Sequence, residues 1–462
     1  MRKQKNCGFI EKKKLRKNGF TPTLQVLLTI FIIIALNVNG FSQEKELKVN
    51  KDEQEQVVNK ISKILEDNYV YPETAKKMSS HLSGKLKKGD YKKITSPSEF
   101  ADQLGKDLRE ISKDLHIRVG YDPEAVKRMT RREKNRDDPE LLELRLKGLR
   151  RTNFGFNEVR ILSGNIGYLD LRQFADPKYA GETAVAAMNL LANCETLIID
   201  LRNNGGGSAE MIQLLTSYFY DDDPVHLNTF YWRPGDETMQ TWTLPHVPGK
   251  KIPDIDIYVL TSNRTFSAAE EFSYNLKNLK RATLIGETTG GGAHPGGPMI
   301  VNDNFIINVP KGRAINPITK TNWEGVGVKP HVEVSQEDAL TTAYLKALEK
   351  LAASTKDKDD KFRYEWYTES LKAELSPVKV NPETLRSYAG KYGPRTITFE
   401  NEELYYQRTG RPKYRMIPLS DELFMLKEID YFRIKIIKED GAVKGVMGMY
   451  DDGNTDKNLK SK

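Results

Sequence analysis

The chain has 462 residues, 38% of them hydrophobic and 29% charged, which is enough for two or three domains with buried cores. Its formal net charge of +8 invites a nucleic-acid reading, but the excess lies in one place. Residues 1–42 hold eight Lys and Arg and a single acid, Glu11, so the rest of the chain is nearly neutral. Charge therefore gives no support for nucleic-acid binding.

The first 42 residues have the three parts of a secretory signal. A basic segment ends at Lys17, and an apolar run from Leu24 to Val38 follows, too short to span a bilayer comfortably. Small residues, Gly40 and Ser42, then precede a cleavage site before residue 43. We expect residues 1–42 to be removed and the protein to be exported, periplasmic or secreted. An uncleaved inner-membrane anchor is the alternative.

The cysteines exclude an intramolecular disulfide in the mature chain. Cys7 leaves with the leader, and Cys194 is then alone. The spacings CxxC and HExxH, typical of zinc sites, are absent. We therefore expect no metal and no cofactor.

The first half of the mature chain is predicted to begin with helices. Residues 43–122 carry apolar positions at three- and four-residue steps, as in EQVVNKISKILEDNYV, and form the expected helical N-terminal domain. Residues 123–154 are crowded with charges, which predicts a solvated helix or a charged linker. From 155 to 345, apolar strand patterns alternate with helix patterns, as expected of a mostly parallel, buried sheet.

The C-terminal part is predicted to be a separate small domain. A linker is expected at 346–378, and short β-like runs at 379–455 indicate a small antiparallel β domain. The last residues, 456–462, are expected to form a frayed tail. The predicted fold class is therefore α/β, with a helical segment before the parallel sheet and a β domain after it.

Ser267 stands where a strand pattern, IDIYVL, turns into a helix pattern, in TSNRTFSAAEEF. One interpretation is purely structural: Ser267 and Glu270 have the spacing of a capping box. The other is a nucleophile at a helix N-terminus, where unpaired N–H groups and the helix dipole stabilise an oxyanion. A serine hydroxyl is a weak nucleophile, so the second interpretation requires a base.

Four blocks in order resemble peptidase family S41, the tail-specific or C-terminal processing proteases: DLRNNGGGS, TSNRTFSAAEEF, GETTGGG and WEGVGVKPHVEV. The resemblance covers about residues 155–335, and the segment ending in DLHIRVGYD resembles the family's N-terminal segment. It implies a crotonase-like ββα catalytic core and a polypeptide substrate. The stretch 123–153 is too short for the PDZ domain that many members carry, which resembles the branch related to interphotoreceptor retinoid-binding protein.

The resemblance also implies the catalytic residues. One layout in the family uses a Ser–Lys dyad, but no lysine lies between Arg281 and Lys311 in the matching block. The tricorn-like layout uses a histidine base and a glutamate behind it, which match His116 in DLHIRVG and Glu324 in NWEGVG. Ser267 would then attack the substrate, with His116 as general base.

The resemblance further implies an oxyanion site made by Ala268 and the glycine loop at Gly206 and Gly207, without deciding which glycine points inward. His294, in GGGAHPGG, is the alternative base. The predicted function is an exported serine endopeptidase. A non-catalytic protein that binds apolar ligands, or an ester hydrolase, is the alternative on the same fold. The oligomeric state is left open.

Overall fold

A computed structural model describes residues 48–135, 138–376 and 378–461. The predicted leader, 1–42, and its cleavage site lie outside these residues. Of the helices within the described ranges, none is long and apolar enough to cross a membrane.

In most of residues 155–345, helices and strands follow one another in the order that the sequence patterns predict. The helices are α1 (Lys51–Asn68), α2 (Pro72–Lys88), α3 (Pro97–Ser112), α4 (Pro123–Lys134), α5 (Pro139–Arg151), α6 (Pro177–Leu191), α7 (Ala209–Ser217), α8 (Ala268–Asn278), α9 (Ala339–Ser354), α10 (Lys358–Leu375) and α11 (Pro382–Ser387). The strands of the first two thirds are β1 (Arg118–Tyr121), β2 (Phe156–Leu162), β3 (Ile166–Leu171), β4 (Thr196–Asp200), β5 (His226–Trp232), β6 (Glu237–Trp242), β7 (Asp256–Thr261), β8 (Thr283–Gly286), β9 (Gly296–Ile300), β10 (Phe305–Pro310), β11 (Gly312–Ile315) and β12 (Val332–Glu333). Those of the last third are β13 (Gly390–Tyr392), β14 (Arg395–Glu400), β15 (Glu403–Arg408), β16 (Lys413–Pro418), β17 (Leu423–Leu426), β18 (Ile429–Glu439), β19 (Ala442–Tyr450) and β20 (Thr455–Leu459).

The central sheet has six strands in the order β12-β8-β7-β4-β3-β2, all parallel except for β2 against β3. Alternate residues of β4 enter different cores, because successive side chains of a strand point to opposite faces. Leu197 and Ile199 pack with α6, α7 and α8, whereas Ile198 packs with α9. Helices thus cover both faces, which confirms the predicted mostly parallel, buried sheet.

The helical N-terminal segment is built on regular caps and one apolar stripe. The Asn50 side chain accepts the Glu53 N–H at 2.9 Å and begins α1. Val57, Ile61 and Leu65 then recur at four-residue steps and are fully buried.

This segment does not close its core alone. Strand β1, directly after α3, pairs antiparallel with β10, which pairs with β9. Phe305, Ile307 and Val309 on β10 are buried in the same core as the helices. The pairing of β1 with β10 joins the N-terminal helical segment to residues 305–310 and fixes the position of the loop before β1.

Both segments that the sequence predicts as linkers contain helices. Residues 123–154 form α4 and α5, begun by Asp122 and Asp138, whose carboxylates accept N–H groups of the first turns. Residues 346–378 hold the end of α9 and α10, because Ala339, Ala343 and Ala347 give α9 an apolar stripe against the sheet. The first segment therefore agrees with the solvated helix that its charges allow, whereas the helices at 346–378 were not predicted.

The C-terminal part is an eight-stranded antiparallel sheet in which β13 to β20 pair in sequence order. The predicted antiparallel β domain is confirmed, but its end is not frayed. Residues 455–459 form β20, because Asp456 pairs with Arg395, which is 1% exposed. A buried guanidinium without this carboxylate would be costly.

Candidate active site

Ser267 occupies a strained position between β7 and α8. Its φ of 55° and ψ of −120° lie where a residue with a Cβ is rarely found. Such a conformation costs about 1–3 kcal/mol and persists only where the surroundings impose it. Here the Phe266 N–H donates to the Asn204 carbonyl, and the Gly290 N–H donates to the Thr265 carbonyl, both at 3.0 Å. The turn that carries the serine is therefore held on two sides.

Glu270 holds this turn against a second loop. It is fully buried, and its carboxylate accepts the Ser267 N–H (2.9 Å), the N–H groups of Gly291 (2.6 Å) and Gly292 (2.8 Å), and the Thr289 hydroxyl. Burial raises the pKa of Glu270, and these hydrogen bonds oppose that rise. The glutamate half of the predicted capping box is therefore present.

The serine half is arranged so that the side chain is available. The Glu270 N–H donates to the Ser267 carbonyl oxygen at 2.9 Å. Both halves of the predicted capping box are present, but within the described ranges the Ser267 hydroxyl donates no hydrogen bond, and Ser267 lines two cavities. The backbone thus explains Glu270, while the hydroxyl remains free to react.

The backbone of the glycine loop lies against Ser267, too close to leave room for a side chain at Gly206. A Cβ on Gly206 (φ 106°) would lie 2.9 Å from the Ser267 Cβ and 3.0 Å from the Ala268 nitrogen. The Gly206 N–H itself donates to the Asn204 side chain at 2.8 Å. Of the two predicted glycines, Gly206 therefore lacks a free donor.

Gly207 and Ala268 keep their donors. In the part of the chain that the structure describes, neither N–H donates a hydrogen bond to the protein. Both residues line, with Ser267, a cavity of about 400 Å³. Two unpaired N–H groups next to a free hydroxyl are the arrangement that binds an oxyanion.

His116 lies in the loop between α3 and β1, with its side chain 15% exposed. Its backbone carbonyl accepts a hydrogen bond from the Asn308 side chain (2.8 Å), and its ring centroid is 4.6 Å from that of Phe266. His116 and Ser267 line the same cleft of about 1150 Å³, although no hydrogen bond joins them. Burial lowers the pKa of His116 to about 4, so the ring is neutral and able to accept a proton at neutral pH.

Glu324 lies behind His116, in a buried cluster with Asp114. Asp114, His116 and Glu324 each have one side-chain oxygen or nitrogen atom that lies within 4.8 Å of the corresponding atoms of the other two. The Nδ1 of His116 and the Oε1 of Glu324 are buried, and neither has a hydrogen-bond partner among the described residues. Burial and the nearby Asp114 raise the pKa of Glu324. The structure therefore brings the predicted base and the predicted carboxylate together.

His294 is engaged in the same cluster. Its Nδ1 is 2.8 Å from Asp114 Oδ2 and 3.4 Å from Glu324 Oε2, and its side chain is 5% exposed. It lines neither of the two cavities at Ser267. The geometry thus favours His116 over His294 as the residue that meets the serine.

Sequence reasoning missed two members of this cluster. Asp114 accepts hydrogen bonds from the His116 N–H (3.0 Å) and from the Tyr69 hydroxyl (3.2 Å). Asp114 stands two residues before His116, so its position in DLH was the available signal. Tyr69 gave no signal, because its contact spans 45 positions along the chain.

Three donor atoms within 4.8 Å are close enough to share a metal ion, and Asp114, His116 and Glu324 are the residues here that could hold one. The same spacing suits an imidazole that exchanges a proton and is oriented by carboxylates. The second interpretation agrees with the position of His116, which lines the same cleft as Ser267.

Family models match both the catalytic part and the N-terminal segment. The model described as peptidase family S41 matches residues 165–334, and the N-terminal domain of Peptidase_S41 in eukaryotic IRBP matches 43–147. Together the two matches span more than half of the chain. The chain belongs to peptidase family S41.

Individual relatives are distant. The carboxy-terminal processing protease CtpB of Bacillus subtilis is 24% identical over 208 residues, which are 44% of this chain and 41% of that protein. The chain thus matches about two fifths of that relative's length. A lipoprotein from Streptococcus agalactiae has 15% identity and a TM-score of 0.44, with 64% of this chain and 96% of that one covered. The photosystem II D1 C-terminal processing protease has 15% identity and a TM-score of 0.38, with 63% and 94% covered.

The glycine loop gives a direct test of the backbone geometry. Gly207→Ala would place a Cβ 2.0 Å from the Phe174 carbonyl oxygen, at a φ of 146°. We expect it to lower the free energy of unfolding by about 2–3 kcal/mol, measured by thermal or denaturant melting.

Gly205→Ala is the matched control, because a Cβ there meets nothing within 4 Å. It is expected to melt within about 0.5 kcal/mol of the parent. Equal melting of the two variants would contradict the close approach at Gly207.

Proposed function

We propose that the protein is a serine endopeptidase that cleaves polypeptides through an acyl-enzyme on Ser267. One observation carries the proposal: a free hydroxyl in a strained turn lines both the cleft of His116 and the cavity of the unpaired Gly207 and Ala268 N–H groups. A nucleophile, a base and an oxyanion site are the three parts that acyl transfer needs.

The proposed steps use only these groups. His116, held neutral by burial, takes the proton from the Ser267 hydroxyl as the oxygen attacks the substrate carbonyl. The Gly207 and Ala268 N–H groups stabilise the oxyanion, and protonated His116 then gives its proton to the leaving amine. Water repeats the sequence on the acyl-enzyme and releases the acid.

Glu324 is proposed to orient the His116 ring and to stabilise its protonated form. Its unpaired, buried Oε1 lies in one cluster with the unpaired Nδ1 of His116. In the proposed step Nε2 takes the serine proton while Nδ1 keeps its own, so the ring has a donor on the side of the carboxylates and the imidazolium is stabilised by their charge. Asp114, which accepts the backbone N–H of His116, adds a second negative charge nearby.

Substitution of the three residues tests the proposal. Ser267→Ala and His116→Asn are each expected to lower kcat/KM for a casein or peptide substrate by at least about 10³-fold, because each removes a reacting group. Glu324→Gln is expected to cost less, about 10–10²-fold, since it acts through His116.

Labelling with a fluorophosphonate is the companion measurement. The parent should be modified at Ser267 and the Ser267→Ala protein should not, with both melting alike. An unlabelled parent that nevertheless binds apolar ligands would support a non-catalytic role instead. Ester turnover without any peptide cleavage would support an ester hydrolase.

The pH dependence follows from the burial of His116. The imidazole is an active base only while it is neutral, and burial lowers its pKa to about 4. We therefore expect kcat/KM to fall on the acid side with a midpoint near pH 4, and not near the ordinary histidine value of about 6.5. Because burial and Asp114 raise the pKa of Glu324 to about 7, the midpoint is read in the Glu324→Gln protein, where a value near 6.5 would show that the ring is solvated.

We also propose that the protein is exported, on the basis of the leader pattern in residues 1–42. Mass spectrometry of the protein isolated from its own cells tests this. A first residue at or near Gln43 is expected, whereas a protein that retains residues 1–42 would support the uncleaved anchor.

A further inference from the structure

We propose that the cavity shared by Ser267, Gly207 and Ala268 receives a positively charged side chain of the substrate, selected by Glu271. The inference rests on the proposed function, because it assumes that Ser267 attacks a peptide carbonyl. The cavity, about 400 Å³, lies within the range of about 300–1,000 Å³ typical of small-molecule sites. Apart from Ser267 and the two N–H groups at its mouth, the residues that line it have no role in the steps described above.

The cavity holds the side chain on the acyl side of the cleaved bond. Its lining includes the two unpaired N–H groups that would bind the oxyanion. The attacked carbonyl therefore lies at its mouth, and the nearest side chain belongs to the residue that carries this carbonyl. The leaving amine, by contrast, must lie towards His116 in the larger cleft.

The charged side chains that line the cavity are all acidic. The ionisable residues that line it are Glu210 and Glu271, and none of the lining residues is Lys, Arg or His. The larger cleft is the reverse: Arg109, Arg118 and Arg264 line it, with a single acid, Asp102. A cationic side chain is therefore favoured on one side of Ser267 and disfavoured on the other.

Glu271 is the carboxylate best placed to make this selection. It lies in the first turn of α8 and lines the cavity together with Ser267. It is 5% exposed, and its Oε1 accepts a hydrogen bond from the Asn228 side chain at 3.1 Å. No Lys or Arg in the described ranges forms an ion pair with it.

An unpaired carboxylate in such a place is costly, and a bound cation would offset the cost. Burial raises the pKa of Glu271 to about 7, because the Asn228 and Asn275 side chains offset only part of the cost of burying the ionised carboxylate. A substrate ammonium or guanidinium supplies the missing partner. Because truncating one side of a buried charge pair costs several kcal/mol, the choice of side chain should depend strongly on Glu271.

The remaining walls suit the stem of a long cationic side chain. Phe230, Trp232 and Trp323 line the cavity together with Ala314. Lysine and arginine bury their methylene stems on apolar surface and keep the charge at a polar end, and a guanidinium also stacks on aromatic rings. A short or acidic side chain would use neither feature.

The test compares substrates that differ only in charge. A peptide library digested by the parent and read by mass spectrometry should show cleavage after Lys and Arg. Matched peptides with arginine or its neutral isostere citrulline at that position should differ at least about 10-fold in kcat/KM. Equal cleavage of the two peptides, or a library dominated by apolar residues at that position, would overturn the inference.

Two variants test whether Glu271 is the residue that selects the positively charged side chain. Glu271→Gln, which keeps the size of the side chain, should remove the preference for arginine over citrulline. Glu210→Gln is the matched control: this residue is exposed, so its charge is screened and the preference should change less than about threefold. A preference that survives in the Glu271→Gln protein would contradict the role of Glu271.

Failure of the inference and failure of the proposed function give different results. Cleavage that requires Ser267 but ignores the charge of the substrate side chain overturns the inference alone. The absence of any cleavage that requires Ser267 overturns both. The arginine and citrulline comparison uses the parent protein, so it does not depend on whether a variant folds.

Discussion

The buried carboxylate of Glu270 is the contact on which the arrangement at Ser267 depends. It joins the turn after β7 to the loop after β8 by accepting two N–H groups and one hydroxyl from that loop and one N–H from the serine. Hydrogen bonds to a charged group contribute about 1.5–3 kcal/mol each, enough together to offset a burial cost of several kcal/mol. The strain of about 1–3 kcal/mol at Ser267 is sustained by the same contacts.

The second constraint is the shared core between the N-terminal helices and β10. Because β1 pairs with β10, the loop that precedes β1 is brought to the cleft of Ser267, and the Asn308 side chain fixes the His116 carbonyl there. A histidine and a serine 151 positions apart thus line one cavity without belonging to one local motif. The site is a property of the packed molecule and not of either segment.

Much of the fold was accessible from the sequence, because period-2 and period-3.6 patterns survive wherever one face is buried. The parallel sheet and its helices followed from runs such as TLIID and AAEEFSYNLKN. For α4 (Pro123–Lys134) and α5 (Pro139–Arg151) the sequence left a solvated helix and a linker open, since α4 buries little more than Val126 and α5 buries no residue fully. Strand β20 was missed because its partner for Asp456 lies 61 positions earlier.

At the site, the sequence indicated which residues to consider, but not which of them contact one another. Family resemblance pointed to Ser267, His116 and Glu324, whose functional roles remain predictions. The sequence could not decide between Gly206 and Gly207, because the choice turns on whether the Asn204 side chain accepts one N–H. It also gave no sign that Glu271 faces a cavity, since a glutamate in the first turn of a helix is ordinarily explained by the helix dipole.

The register between β1 and β10 has a consequence for synthesis. Strand β1 has no partner until residues 305–310 have been made, so the growing chain carries an incomplete sheet through most of translation. Contacts this far apart along the chain form late in folding. A truncated molecule that ends before residue 305 therefore lacks the partner strand of β1, whose pairing places the loop of His116 beside Ser267.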